Sequence, residues 1–433
     1  MKKTRNAAAA PDAGGPVAQA ARVLGIVLAF EHPADAVLSR YFREHRALGQ
    51  RDRAFIAETV YSVLRRLRWL RRLAGSEASP WQLLLAWLAR GEGWAMRQFE
   101  GIASVGETRW IETVKAVSLA EGTLAERADL PDWLCERLLT VHDEAGVLRL
   151  AHSLNRPAPL DLRVNILKAG RDAVLAILRA DGFEAAPSPL SPHGIRLAAK
   201  PALQKHALFL DGSFEVQDEG SQILGFLVQP RRGELVVDFC AGAGGKTLHL
   251  GALMRSSGRL YAFDVAEKRL ARLRARQARA GLSNVHPMLL AHEHDARLKR
   301  LAGKADRVLV DAPCSGLGTL RRNPDLKWRQ TPAAIEEMVA RQQAILAAAA
   351  RLLRPGGRLV YATCSLLDEE NDGIVDAFLA AHPEFASLSA EEILTRQGIA
   401  LATGERLRLS PPIHETDGFF AAVLERAAPA PLP

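Results

Sequence analysis

Three short stretches concentrate residue types that can do chemistry. "DAPCSG" sets Asp311 three positions ahead of Cys314, "YATCS" carries a second thiol at Cys364, and "DFCAGAGGKT" runs through a Gly-rich turn from Cys240 to Lys246. Each follows an apolar, strand-like run, so each falls where a strand ends. A cysteine at one strand end is more often a small buried residue than a nucleophile. Two at matching ends, one beside a carboxylate, suit methylation of a pyrimidine ring carbon. Carbon 5 of cytosine is too weak a nucleophile to take a methyl group directly. A thiolate that adds to carbon 6 turns the ring into an enamine, whose carbon 5 can attack. An acid near ring nitrogen 3 promotes the addition, a part that suits Asp311 with its pKa raised by burial. A second thiol can assist the final elimination.

The Gly-rich turn imitates a nucleotide loop without being one. The ATPase phosphate loop needs Gly, four residues, then Gly-Lys-Ser/Thr, and its first Gly would fall on Cys240. The dinucleotide pattern GxGxxG fits Gly242 and Gly244 but meets Thr247 at its third position. What remains is a turn at the carboxyl end of a strand, where open α/β sheets bind ligands. Asp264 follows about twenty residues on, at the end of "RLYAFD", where a carboxylate can accept both hydroxyls of a ribose. S-adenosylmethionine and NAD both fit this pair, and a tight turn with no ligand would look the same. "HEHD", His292 to Asp295, has alternation but no third ligand cluster, so no metal is expected.

The elements that must position these residues follow from periodicity. From "ELVVDFC" onward, strand-like runs alternate with amphipathic helices: "GRLYAFDV", "AEKRLARLRARQARAG", "VHPMLL", "DRVLVDAPC", "TPAAIEEMVARQQAILAAAARLL", "PGGRLVYATCS". That order predicts a doubly wound, mostly parallel sheet, closed by an antiparallel pair within "RLRLSPPIHETDGFFAAVLER". Upstream, "PLDLRVNILKAG", "GIRL" and "FLDGSFEVQD" supply short strands and "RDAVLAILRADG" a helix, a small α/β connector. The first part is helical throughout. Val60, Val63, Leu64, Leu67 and Leu70 make one stripe, which predicts a single helix ending at Gly75, and Ser79-Pro80 starts another. The expected division is a flexible tail over 1–15, an all-α domain over 16–142, the connector over 143–222 and the catalytic domain over 223–433.

Composition sets the frame. The 433 residues are 48% hydrophobic and 24% charged, with a net charge of +8 from 57 Lys and Arg against 49 acids. Such a balance suits a globular chain with a nucleic-acid partner. No apolar run is long enough for a membrane span, and the N-terminus lacks a signal core, so a cytoplasmic location without membrane attachment is expected. The four cysteines form no CxxC pair. Two basic features could track RNA phosphates: the helical arginines Arg65, Arg68 and Arg72, and "TLRRNPDLKWRQ" after Cys314, with Arg321, Arg322, Lys327, Arg329 and Trp328.

Taken together, "DFCAGAGGKT", "DAPCSGLGTLRRNPDLKWR" and "YATCSLLDEEND" resemble the Sun/Fmu-like bacterial ribosomal RNA cytosine-C5 methyltransferases. The resemblance extends to "LRVN" and "GSFEVQDEGSQ" in the connector. "LGQRDRAFIAETVYSVLRR" resembles the NusB-like RNA-binding domain of that family. The resemblance implies a Rossmann-like methyltransferase domain, S-adenosylmethionine as methyl donor and 16S ribosomal RNA as substrate, acted on by a monomer. It implies that Cys240, Ala241, Gly242, Ala243, Gly244, Gly245 and Lys246 form the donor loop. Asp264 would hold the ribose, Asp295 would sit near the adenine, and Asp311 would lie between donor and base. Cys364 takes the nucleophile's place and Cys314 that of the thiol aiding release. The family loop usually reads Ala-Ala-Pro-Gly-Gly where this one has Ala-Gly-Ala-Gly-Gly; no needed side chain is lost. Two rival functions share parts of this pattern. A DNA cytosine-C5 methyltransferase would use the Pro-Cys thiol, Cys314, as nucleophile, and a non-catalytic RNA-binding assembly factor would transfer no methyl group.

Overall fold

The computed structural model describes residues 14–428, so the expected tail lies, but for Gly14 and Gly15, outside the described residues. The chain forms two compact units. One comprises the chain up to Asn155 together with Asn323–Arg329; the other comprises Arg156–Arg322 and the chain from Gln330 onward.

The first unit is all helical. Leu24, Ile56, Val60, Leu64, Leu67, Leu70 and Leu83 are fully buried in its core. The stripe over 60–70 is real, but it spans two helices, Gln50–Arg65 and Leu67–Ala74, rather than the single one expected. The break is at Arg66, whose φ of −113° and ψ of 22° leave the helical region. The second helix ends at Gly75 as expected. Pro80–Ala86 begins with a capping box, in which Ser79 accepts from the Gln82 N–H and Gln82 accepts from the Ser79 N–H. The arginines expected to track phosphates are occupied within the unit. Arg65 pairs with Glu58 at 3.3 Å, Arg68 with Asp132 at 2.8 Å and Arg72 with Glu126 at 3.5 Å.

The second unit contains two sheets. Strands β1 (Leu160–Val164), β2 (Ala185–Pro187), β3 (Gly194–Leu197) and β4 (Phe214–Val216) make an antiparallel sheet in the order β2-β3-β1-β4. Within "FLDGSFEVQD" the strand is confined to β4, and Phe209 and Leu210 close the short helix Ala207–Leu210. The larger sheet holds β5 (Leu235–Asp238), β6 (Arg259–Asp264), β7 (Val285–Leu289), β8 (Ala305–Asp311), β9 (Leu353–Thr363), β10 (Phe385–Leu388), β11 (Leu407–Leu409) and β12 (Phe419–Arg426). Its order is β10-β12-β9-β8-β5-β6-β7, with β11 on β12. Strands β5 to β9 pair in parallel, and β10, β11 and β9 each pair antiparallel with β12.

Side-chain alternation gives the sheet two apolar faces. Val236 joins Leu250, Leu270 and Leu273 on one, and Val237 joins Val308, Leu346 and Tyr361 on the other. β5 sits between β8 and β6, so the winding reverses beside it and a crevice opens above its carboxyl end. β8 lies next to β9 with Asp311 opposite Ala362, which brings the two cysteine turns side by side. Among the described residues no helix is long and apolar enough to cross a membrane.

Candidate active site

The turn after β5 is built from backbone bonds. Phe239 N–H donates to Leu309 O at 2.8 Å, Ala241 N–H to Phe263 O at 2.7 Å and Gly244 N–H to Ala241 O at 2.9 Å. Gly244 then starts the helix Gly245–Leu253 from φ +90°, where a Cβ would come 2.7 Å from Leu273 Cγ. Only glycine meets both demands.

Two arginines hold this turn by its carbonyls. Arg163, buried at the start of the "RVN" segment, donates to Gly245 O at 2.6 Å and to Gln217 Oε1. Arg276 donates to Ala243 O at 2.7 Å and pairs with Glu215 at 3.0 Å. Thr247 Oγ1 donates to Asp238 Oδ2 at 2.7 Å, and burial pushes the Asp238 carboxyl up to about 7. Arg163, Glu215, Gln217 and Asp238 had no role assigned from sequence, although three of them lie in the connector motifs quoted for the family.

Above the turn is a cavity of about 550 Å³, a size suited to a nucleoside-like ligand. Cys240, Gly242, Lys246, Asp264, Asp311, Cys314 and Cys364 all line it. Ala241, Ala243, Gly244 and Gly245 shape the turn behind that wall. Asp264 spends one lone pair of each oxygen on the backbone: Oδ2 accepts from Gly242 N–H at 2.8 Å and Oδ1 from Ala266 N–H at 2.7 Å. Each oxygen keeps a second lone pair for a ligand hydroxyl. Phe239, Leu290, Pro313 and Ile345 supply apolar wall for a planar base. Gly242 takes φ +56° with open space where its Cβ would stand, so any side chain there would enter the cavity. This donor set and cradle fit S-adenosylmethionine.

Asp295 does not line the cavity. Its carboxylate accepts from Ala291 N–H at 2.9 Å and from Arg297 N–H at 3.0 Å, and it also binds the Arg297 guanidinium. Those bonds fold the loop after β7, and it is His292 and Glu293 of that loop that reach the wall. Among the described residues no group of three or more His, Cys, Asp or Glu side chains could hold a metal ion.

On the opposite side, Cys314 and Cys364 bring their sulfurs to 3.4 Å, and Cys364 N–H points at Cys314 Sγ at 3.4 Å. The hydrogen bond to Cys364, then burial, pushes the Cys314 thiol well above its ordinary range. Burial, then the Asp238, Asp311 and Asp264 carboxylates, do the same to Cys240. Either sulfur can donate to the other across this contact. Lys246 Nζ lies 2.6 Å from Asp311 Oδ2 and 5.5 Å from the centre of the Phe419 ring. Burial works against the Lys246 charge, and Asp311, Cys364 and Asp238 more than offset it, so the ammonium is held. The burial expected around Asp311 is not found. Its side chain is 29% exposed and a lysine sits on it.

The basic loop after Cys314 also departs from expectation. Arg322 pairs with Asp417 at 2.6 Å and Asp218 at 2.8 Å, and Arg321 with Asp417 at 3.3 Å. In the helical unit, Lys327 is fully buried and donates to Arg65 O, Asp129 O and Asn155 Oδ1 at 2.7–2.9 Å. Trp328 Nε1 donates to Leu64 O at 2.8 Å, and Arg329 pairs with Asp325 at 3.4 Å. In this structure these groups are engaged in internal ion pairs and hydrogen bonds.

The sheet order, the donor turn and the strand-end carboxylate define an S-adenosylmethionine-dependent methyltransferase with a Rossmann-like fold. Comparison with known proteins narrows the class. The family model "16S rRNA methyltransferase RsmB/F" matches residues 225–425, and the ferredoxin-like domain model of the same family matches 130–204. Ribosomal RNA small subunit methyltransferase B of Sodalis glossinidius is 34% identical across 87% of this chain and 90% of its own length. The probable methyltransferase B of Synechocystis sp. is 37% identical across 70% of this chain and 68% of its own. Among solved structures, PH0851 superposes with a TM-score of 0.76 at 28% identity, over 96% of this chain and 99% of that one. The chain belongs to the RsmB/F family of 16S rRNA methyltransferases.

Proposed function

We propose that the protein methylates carbon 5 of a cytosine in small-subunit ribosomal RNA, with Cys364 as nucleophile and Cys314 as the thiol that aids release. The relatives named as small-subunit ribosomal RNA methyltransferases support the substrate. The 3.4 Å approach of two sulfurs in the cavity that also holds Asp264, Lys246 and Asp311 supports the chemistry, and it is the observation that carries the reading. When bound, S-adenosylmethionine supplies an electrophilic sulfonium methyl group.

The side chains divide the remaining work. Cys364, as thiolate beside the Cys314 S–H and the Lys246 ammonium, adds to carbon 6, and the carbon 5–carbon 6 π pair moves into the ring. The Lys246–Asp311 pair hydrogen-bonds at ring nitrogen 3 and takes up the developing charge. Carbon 5 uses that electron pair to take the methyl group. Cys314 gives its S–H proton to the departing Cys364 sulfur and, as thiolate, takes the carbon-5 proton, whose bonding pair restores the carbon 5–carbon 6 double bond as the Cys364–carbon 6 bond breaks. A base in a paired stem must leave its stack to reach this cavity.

The other parts of the reading follow the same proposal: a NusB-like RNA-binding role for the all-α domain over 16–142, the connector over 143–222, the catalytic domain over 223–433, and a cytoplasmic monomer. Separate substitutions test the thiol roles. Cys364→Ala should abolish transfer of labelled methyl groups to 16S rRNA. Cys314→Ala should still transfer a methyl group but leave RNA bound to protein on a denaturing gel. The reverse pattern would assign the nucleophile to Cys314 and overturn the reading. Bisulfite mapping of 16S rRNA from a strain lacking the gene should show one methylcytosine missing; an unchanged map would remove the ribosomal assignment.

A further inference from the structure

We propose that Glu370 is a positioning residue for the two-cysteine reaction, one buried carboxylate that fixes the distance between both thiol turns. The inference rests on the assignment of Cys364 and Cys314 above. Glu370 is fully buried six residues beyond Cys364. Its Oε1 accepts from Ser315 N–H at 2.8 Å and from Gln342 Nε2 at 3.0 Å. Its Oε2 accepts from Ser315 Oγ at 2.5 Å and from Ser365 Oγ. The two serine hydroxyls also meet each other at 3.1 Å.

Ser315 directly follows Cys314 and Ser365 directly follows Cys364. A single carboxylate thus binds the residue next to each thiol. Gln342 adds a third tie, donating also to Pro313 O at 2.9 Å on the other side of Cys314. The backbone that carries the carboxylate is itself held, because Tyr361 OH donates to the Glu370 main-chain carbonyl at 2.7 Å. A loop of ordinary core would fill this space with apolar side chains, since a buried charge costs solvation that must be returned by hydrogen bonds. Here every bond that returns it is made to the two cysteine turns or to the helix behind them. The repeated Cys-Ser pair was the sequence signal for this arrangement.

The tie matters because both thiols must act on one ring carbon in succession. Cys364 forms and later breaks the bond to carbon 6, and Cys314 must remain within reach for the break. A displacement near 1 Å at such a site lowers rate by about a hundredfold. Glu370 has no place in the cavity wall around Asp264, so donor binding should be insulated from it.

The test is Glu370→Gln in the full-length protein. One amide cannot accept from all four donors, and its NH2 faces hydroxyls already committed to donate. The expected result is a fall in kcat of about a hundredfold, with the KM for S-adenosylmethionine and the affinity for S-adenosylhomocysteine unchanged. Iodoacetamide labelling read by mass spectrometry supplies a readout that a merely structural role would not move. Cys364 should be alkylated ahead of Cys314 in the wild type, and that order should be lost in the variant. Wild-type kcat and labelling order in Glu370→Gln would overturn the proposal, as would a loss of kcat matched by an equal loss of donor affinity. If Glu370→Gln does not fold, Ser365→Ala decides on the same two readouts. A Cys364→Ala protein that still methylates carbon 5 would instead sink the nucleophile assignment, whatever Glu370→Gln does.

Discussion

The Asp264 carboxylate uses half of its lone pairs to fold the Gly242 turn and the start of the next helix, and leaves the other half toward the cavity, where the proposed function sets the donor ribose. Asp264→Asn should therefore weaken two things at once. Its amide NH2 must face either the Gly242 N–H or the Ala266 N–H, and one ligand hydroxyl loses an acceptor. The expected loss is about 1.5–3 kcal/mol of donor affinity, roughly 10- to 100-fold in Kd by calorimetry with S-adenosylhomocysteine. The rate at saturating donor should stay near that of the wild type; an unchanged Kd would remove Asp264 from the ribose. At this scale the sequence was informative wherever a residue's place followed from a strand end. Cys240, Gly242, Lys246, Asp264, Asp311, Cys314 and Cys364 all reach one cavity. Asp295 is not part of that wall, and Arg297, two residues on, engages its carboxylate. Nothing in the spacing of "HEHDAR" shows which way that side chain turns.

The donor turn illustrates how elements far apart in sequence share one task. Arg163 at β1 and Arg276 on the helix Glu267–Ala280 each hold a carbonyl of the turn, and Glu215 on β4 steadies Arg276. Arg163→Met would leave the Gly245 carbonyl and the buried Gln217 side chain without this donor. Each unmet group costs about 1–3 kcal/mol, so a lower melting temperature and a donor Kd raised about tenfold or more are expected. Unchanged donor binding would show that the turn holds its shape alone. The parallel strands and their helices were legible because apolar runs and amphipathic stretches alternate regularly. The break at Arg66 was not, because the buried stripe continues through Leu67 and Leu70 as though the helix did. Phe209 and Leu210 were not told apart from β4 for the opposite reason: a short apolar run carries no period.

At the scale of the whole chain, the helical unit takes seven residues from the catalytic half of the sequence, Asn323–Arg329. Composition and charge left this stretch open as an RNA contact, because no local pattern reveals that Lys327 is buried in another part of the chain. Burial pushes the Lys327 ammonium down to about 7 from an ordinary 10.5. Between those two values the unfolded chain holds the proton and the folded chain does not, so stability rises with pH across that window. Below about 7 both states are charged and the burial cost stands in full. The melting temperature of the wild type, relative to Lys327→Met, should therefore climb between about pH 7 and 9. A flat difference would show that this side chain stays charged throughout.

The borrowed segment also orders events during synthesis. Ribosomes deliver about 5–20 residues per second and domains generally fold from the N-terminus. The helical unit departs from that rule, because the acceptors Arg65 O, Asp129 O and Asn155 Oδ1 wait for Lys327, and Leu64 O waits for Trp328. Its first 155 residues emerge with those buried groups unmet, and they stay so until translation has passed both β8 and Cys314. Completion of the N-terminal body is thus a late event that reports on β8 and Cys314 having been made, while Cys364 is still to come.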